Sequence, residues 1–214
     1  MGIDRAGLPF IAAALLPAVA LWAFGQPGAA TLLAVAAGVF VFFFRDPERT
    51  PPDGADVVVA PADGRVVHAG AAEPGVAPDG LWQQISVFLS PLDVHVNRMP
   101  VSGRIVDVRY RPGRFLPAYA PRAAEQNERS EIWIDHDGQR IVCRQVVGVL
   151  ARRVVCRLAP GTRVALGQRF GVMKFGSRMD VFLPPSASVS AVTGDMVRGG
   201  ETVVATLSAT PGEE

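Results

Sequence analysis

The stretch "VMKFGSRMDVFLP", Val172 to Pro184, sets a small polar unit, Gly176-Ser177-Arg178, into an otherwise strand-like apolar run. Three roles fit a serine there. A hydrolase nucleophile wants a strained elbow of the G-x-S-x-G kind, and F-G-S-R is not one. A β-bulge needs only the glycine, and on the dipeptide alone it is the default. A self-processing serine needs a preceding residue of little bulk, so that its hydroxyl can reach the neighbouring carbonyl carbon; Gly176 meets that need.

Two other segments carry polar groups worth weighing. In "FLSPLDVHVNRMP" a Ser90-Pro91 turn is followed by Asp93, His95 and Asn97, which alternate onto one face if the segment is extended. An exposed polar face is the competing reading. In "APADGRVV" Asp63 precedes a glycine, the signature of a tight turn, and by itself it is a turn former. The other two histidines, His68 and His136, read as surface residues. Cys143 and Cys156 continue apolar strand patterns, as small buried hydrophobes do. With no C-x-x-C or Cys/His ligand spacing, no metal site is expected.

These residues need elements to hold them. The chain has 214 residues, is 49% hydrophobic and carries a formal charge of +1, so nothing points to nucleic acid. It opens with two uncharged apolar runs, Leu8 to Phe24 and Ala29 to Phe44, joined by the turn signal "GQPG". They read as a membrane-associated helical hairpin over 1–46. Arg45 and Arg49 at its far end place both ends in the cytoplasm. A Pro-rich linker, 47–56, follows. From 57 to 214, short Val/Ile runs separated by Gly, Pro, Asp and Asn predict a mainly β domain, a sandwich or partly closed barrel. "LPAYAPRAAEQNERS" reads as a polar loop with one helical turn. "APADGRVVHAG" and "VTGDMVRGGETVVATL" resemble the hairpins of lipoyl and biotinyl carriers, but neither turn has the lysine that a carrier would modify. Lys174 is the only lysine in the chain.

Taken in order, "APADGRVV", "FLSPLDVHVNRMPVSG", "NERSEIWI", "RQVVGVLARRVVC", "GQRFGVMKFGSRMDVFLP" and "GDMVRGGETVVATL" resemble the phosphatidylserine decarboxylases, in particular the short bacterial form with an amino-terminal hydrophobic hairpin. That resemblance implies a proenzyme cut between Gly176 and Ser177 into chains 1–176 and 177–214, which stay associated. Ser177 becomes a covalent pyruvoyl group, the cofactor that forms a Schiff base with the substrate amine. Asp63 matches the family's acidic residue of "P-A-D-G", and His95 the histidine linked to decarboxylation. Longer members carry a second histidine three residues on, where this chain has Arg98; His95 is then expected to serve both self-cleavage and decarboxylation. Lys174, Arg178 and Arg98 are the expected cations for the lipid phosphate, while Arg152-Arg153 reads rather as a solvated strand edge. The implied partners are a phospholipid and the cytoplasmic membrane, with the β domain on its cytoplasmic face, and an exposed β edge favours a homodimer. Alternatives are a decarboxylase of another phosphoserine lipid, archaetidylserine-like, and a non-catalytic membrane-anchored β-barrel binding or carrier module.

Overall fold

The computed structural model describes residues 2–118, 120, 122–149, 154–173 and 176–208. The two apolar runs form helices, α1 (Leu8–Ala23) and α2 (Pro27–Phe43), each with a proline in its first turn, where the missing N–H costs nothing. Between them Gly25 takes a left-handed φ of +72°, which ends α1 at little cost. Small residues face the partner helix: Ala14 and Ala18 on α1, Ala30 and Ala37 on α2 are the buried alanines, and such residues let the backbones approach closely. Leu16, Val19, Trp22, Leu32 and Val35 point outward and are exposed.

The base of this hairpin is clamped to the β domain. Gly2–Ile3 pairs with Arg45–Asp46. The buried carboxylate of Asp4 accepts two bonds from Arg157, at 2.7 and 2.9 Å. The expected linker is a fixed strap: Arg49 reaches Asp63 and Glu201, at 2.8 and 2.7 Å.

The rest is mainly β, as the alternation predicts. An eight-stranded antiparallel sheet curls in the order Arg163–Val164, Gly103–Arg111, Arg129–His136, Gln139–Val146, Ser177–Leu183, Gln83–Leu89, Gly64–Ala71, Met196–Val197. Its inner face carries Val66, Ile85, Val87, Leu89, Ile132, Ile134, Ile141, Cys143, Met179, Val181 and Leu183, all fully buried. Two three-stranded sheets close the core. One joins Val96–Arg98 to Arg169–Val172 and Val155–Cys156, and the other joins Val57–Val59 to Val203–Thr206 and Ser188–Val189. The two stretches that look alike in sequence are neighbours, with Val197 opposite Gly64 and Met196 opposite Arg65. Both edges of the large sheet are two-residue strands, which pair only with Gly103 and Arg104 at one end and with Gly64 and Arg65 at the other.

Several local expectations change. His136 is buried and bonds the Ser102 carbonyl through Nδ1 at 2.8 Å; it is not a surface residue. Asp93 is not part of an extended strand: its carboxylate caps a turn by accepting from the Ser90 N–H at 2.7 Å. Ala123–Gln126 supplies the expected single helical turn. Cys143 and Cys156 are free thiols, and burial pushes both up from the ordinary thiol pKa.

Candidate functional site

Ser177 opens the central strand Ser177–Leu183, opposite Leu89. Strand alternation puts it on the inner face with Met179, Val181 and Leu183. Its hydroxyl is fully buried and has no partner among the described residues. Before it, Gly176 has φ +67°, a conformation that L side chains rarely adopt. The Gly176 carbonyl in turn approaches Gly148 so closely that a Cβ there would lie 1.8 Å from its oxygen. Two glycines therefore set the peptide bond in front of Ser177: one gives the dihedral, the other gives the space.

His95 precedes the strand Val96–Arg98, and its carbonyl accepts from the N–H of Met173, four positions ahead of Ser177. Asn97, two residues on, accepts at 2.8 Å from Gln145, and Gln145 lies opposite Met179 on the inner face. The histidine segment is thus threaded against the same inner surface that carries Ser177. The His95 ring is 1% exposed. Its Nδ1 bonds the Asp93 carbonyl at 2.9 Å and its Nε2 has no partner among the described residues. Donation from Nδ1 leaves Nε2 as a bare acceptor. Burial lowers its pKa to about 4, against the raising effect of the Asp93 bond and charge, so the ring is a neutral base at pH 7.

Asp63 stands before Gly64, at a spot where any Cβ on Gly64 would meet the Phe88 carbonyl at 2.1 Å. That carbonyl belongs to the residue before Leu89, so Asp63 lies one strand away from the Ser177 pairing. Its carboxylate accepts from the Gly199 N–H and from Arg49, each at 2.8 Å. Burial nevertheless pushes its pKa up, and the nearby charge of Asp93 adds to that.

The phosphatidylserine decarboxylase family model matches residues 36–205. The chain belongs to that family. Among its relatives, the phosphatidylserine decarboxylase proenzyme of Salinibacter ruber is 47% identical over 89% of this chain and 86% of its own length. That of Nitrosomonas eutropha is 43% identical over 95% of this chain and 94% of its own. That of Mycolicibacterium smegmatis is 42% identical over 96% and 90%.

Within this decarboxylase fold the expected cations part company. Arg178 follows Ser177 in the strand and so points to the opposite face. There it donates to Asp180 at 2.6 Å and to the Ser86 hydroxyl at 2.9 Å, both buried. Arg98 is also buried, and it holds the strap: it donates to the Pro47 carbonyl at 2.7 Å, to Asp46 at 3.1 Å and to the Gly167 carbonyl at 3.2 Å. Neither guanidinium is brought to Ser177. Lys174 and Arg152-Arg153 lie outside the described residues. Sequence reasoning passed over Gly148 and Phe43, and it read Arg49 only as a flanking charge of the hairpin. Gly148 stands inside the quoted "RQVVGVLARRVVC", but one glycine among 22 carries no signal until its neighbour is known.

Proposed function

We propose that the chain is a membrane-associated phosphatidylserine decarboxylase that makes its own pyruvoyl cofactor from Ser177, with His95 and Asp63 as its working polar groups. The single observation that carries this reading is the buried, unpartnered Ser177 hydroxyl beside a carbonyl seated by Gly176 and Gly148. A buried hydroxyl left unbonded costs about 1–3 kcal/mol, a cost that a purely structural serine has no reason to incur.

The Ser177 hydroxyl attacks the Gly176 carbonyl carbon, and the C–N bond breaks to leave an ester and a free amine on Ser177. Removal of the Ser177 Cα proton expels the Gly176 carboxylate, and the dehydroalanine that remains takes up water and releases ammonia. The seat suits the resulting group, which is small and lies on a dry inner face. Once formed, the pyruvoyl supplies a carbonyl that condenses with the substrate amine and takes up the electron pair left when CO2 departs. His95, neutral with a bare Nε2, accepts a proton as the substrate ammonium is deprotonated and returns it to Cα after CO2 leaves. The same Nε2 takes the Ser177 hydroxyl proton during self-cleavage, since Arg98 replaces the second histidine and is occupied by the strap. Asp63 acts on this loop through its charge on Asp93. Lys174, two residues before the scissile bond, is the cation proposed for the lipid phosphate.

The hairpin keeps the domain at the lipid surface. Arg5–Ala23 is long and apolar enough to cross a membrane by length and composition. The outward Leu, Val and Trp side chains of both helices have no cover within the chain, and the arginines at its base favour the cytoplasmic leaflet. Intact mass tests the reading. The wild type is expected as two fragments, the smaller beginning at a pyruvoyl-177, and Ser177→Ala as one chain of 22.7 kDa. Active enzyme with an uncut chain and an intact serine would refute it.

A further inference from the structure

The last residue of α2 does not face lipid. The Phe43 ring lies on the His95 imidazole, centroid to centroid 4.0 Å with the planes 32° apart. Phe43 is buried in a small apolar cluster with Phe44, Val94, Val96 and Val172. Its neighbour Phe42 is half exposed on the outer side of the helix. Two residues further, Arg45 donates to the Leu92 carbonyl at 2.7 Å, next to the Asp93 whose own carbonyl takes the His95 Nδ1. One helix end therefore touches the histidine loop twice, once on the ring and once on the backbone that orients the ring.

We propose that Phe43 is a positioning residue for His95: its ring forms one wall of the imidazole seat, so that the docking of α2 on the β domain fixes the orientation and basicity of the histidine. The proposal rests on the reading of His95 given above. It makes the hairpin part of the active site as well as its anchor.

The geometry leaves the ring few alternatives. Nδ1 is pinned by the Asp93 carbonyl, one face is covered by Phe43, and Nε2 is the polar edge left to meet a reacting group. The charged groups that act on the ring are Asp93, from its own loop, and Arg45, beyond the end of α2. Val172, from the adjoining strand, is apolar. An aromatic face also attracts an imidazolium, an effect worth about one pH unit. Burial outweighs it, since the net displacement is downward, from 6.5 to about 4. Removing the Phe43 ring therefore raises the His95 pKa, because re-hydration gains more than the lost attraction.

The test uses the full, processed chain in mixed micelles with phosphatidylserine. Phe43→Ala is expected to raise the His95 titration midpoint, read by NMR of labelled imidazoles and assigned by the signals that remain in His68→Gln and His136→Gln, by about one pH unit or more. The acid limb of the kcat profile should move with it. At neutral pH kcat should drop about tenfold, with KM changed less than about twofold. Phe43→Leu keeps an apolar cover without a stacking plane, and is expected to lower kcat about threefold with KM again unmoved. A Phe43→Leu enzyme with wild-type kcat and acid limb overturns the proposal, whether or not Phe43→Ala folds. If His95→Gln stays uncut and inactive while both Phe43 variants behave as wild type, the positioning role alone fails. If His95→Gln turns over normally, the catalytic reading of His95 fails and this proposal falls with it.

Discussion

Gly148→Ala is the sharpest perturbation the site offers, because it adds one methyl group in an otherwise buried setting and removes no reacting group. The new Cβ would begin 1.8 Å from the Gly176 carbonyl oxygen, whereas real Cβ atoms essentially never come closer than 3.0 Å. The two must separate by about 1.2 Å. On the proposed mechanism the oxygen belongs to the very carbonyl that the Ser177 hydroxyl attacks, and that attack needs a separation of about 3–3.5 Å with aligned geometry. A misplacement of about 1 Å costs about 10²-fold in such a step. Self-cleavage of Gly148→Ala should therefore be slower by about two orders of magnitude. The assay is the fraction of uncut chain against time after synthesis, by gel and intact mass. A thermal midpoint within a few degrees of the uncut Ser177→Ala protein would show that the fold survives. Processing at the wild-type rate in a folded Gly148→Ala protein would refute the idea that the scissile carbonyl is held where the glycine leaves room for it.

Two further outcomes follow from charges inside the fold. His95 titrates near 6.5 in the unfolded chain but at about 4 in the native one, a gap of about 2.5 pH units. The unfolded state thus gains a proton that the native state refuses, so stability falls as pH drops from 6.5 to about 4 and levels off below. The full effect is about 3 kcal/mol, visible as a declining thermal midpoint over that window that His95→Gln flattens. Arg178→Ala leaves the Asp180 carboxylate buried without its cation, which costs about 3–5 kcal/mol. The measurable consequence is a lower thermal midpoint or poor expression, and the protein that does fold should keep its KM for lipid.

The strand pattern, the hairpin and the serine-bearing segment were all legible in the sequence, because alternation, apolar run length and a glycine before a serine are local signals. Arg178 shows where local reading stops. It adjoins Ser177 in the chain, and treating Gly-Ser as an interruption hid the fact that the strand begins at Ser177 itself, which sends the next side chain to the far face. Arg98 stands in a polar "N-R-M-P" context, but its partners are Asp46 and Pro47, on the strap that returns from the hairpin. Phe43 closes a uniformly apolar helix, and nothing in such a run marks the one residue that turns toward an imidazole. Each of these contacts joins segments far apart in the chain, and residue type alone does not select them.

The inner face gives the strongest reason to treat these parts as one device. Among the described residues, the Ser177 hydroxyl, His95 Nε2, Asn97 Nδ2 and Gln145 Oε1 are all buried without a partner within the protein. The topology gathers them: Asn97 is bonded to Gln145, Gln145 lies opposite Met179, and Ser177 and His95 each lie two residues from a member of that set. Around them the inner face is largely apolar, with Ser130 and His136 as further buried polar residues on the strand that carries Ile132 and Ile134. Leaving a buried polar atom unsatisfied costs about 1–3 kcal/mol, and several such atoms side by side amount to a large part of a domain's marginal stability. A fold that needed only to pack would have filled those positions with Val or Leu, as it does along the rest of the same strands. On the proposed mechanism the four unsatisfied atoms of this set, half of the eight such atoms among the described residues, are poised for a group that arrives later, first the rearranging Gly176–Ser177 bond and then the polar head of the lipid. The hairpin supports the same economy from outside, since Phe43 and Arg45 contact the histidine and its loop while apolar side chains further along both helices remain exposed.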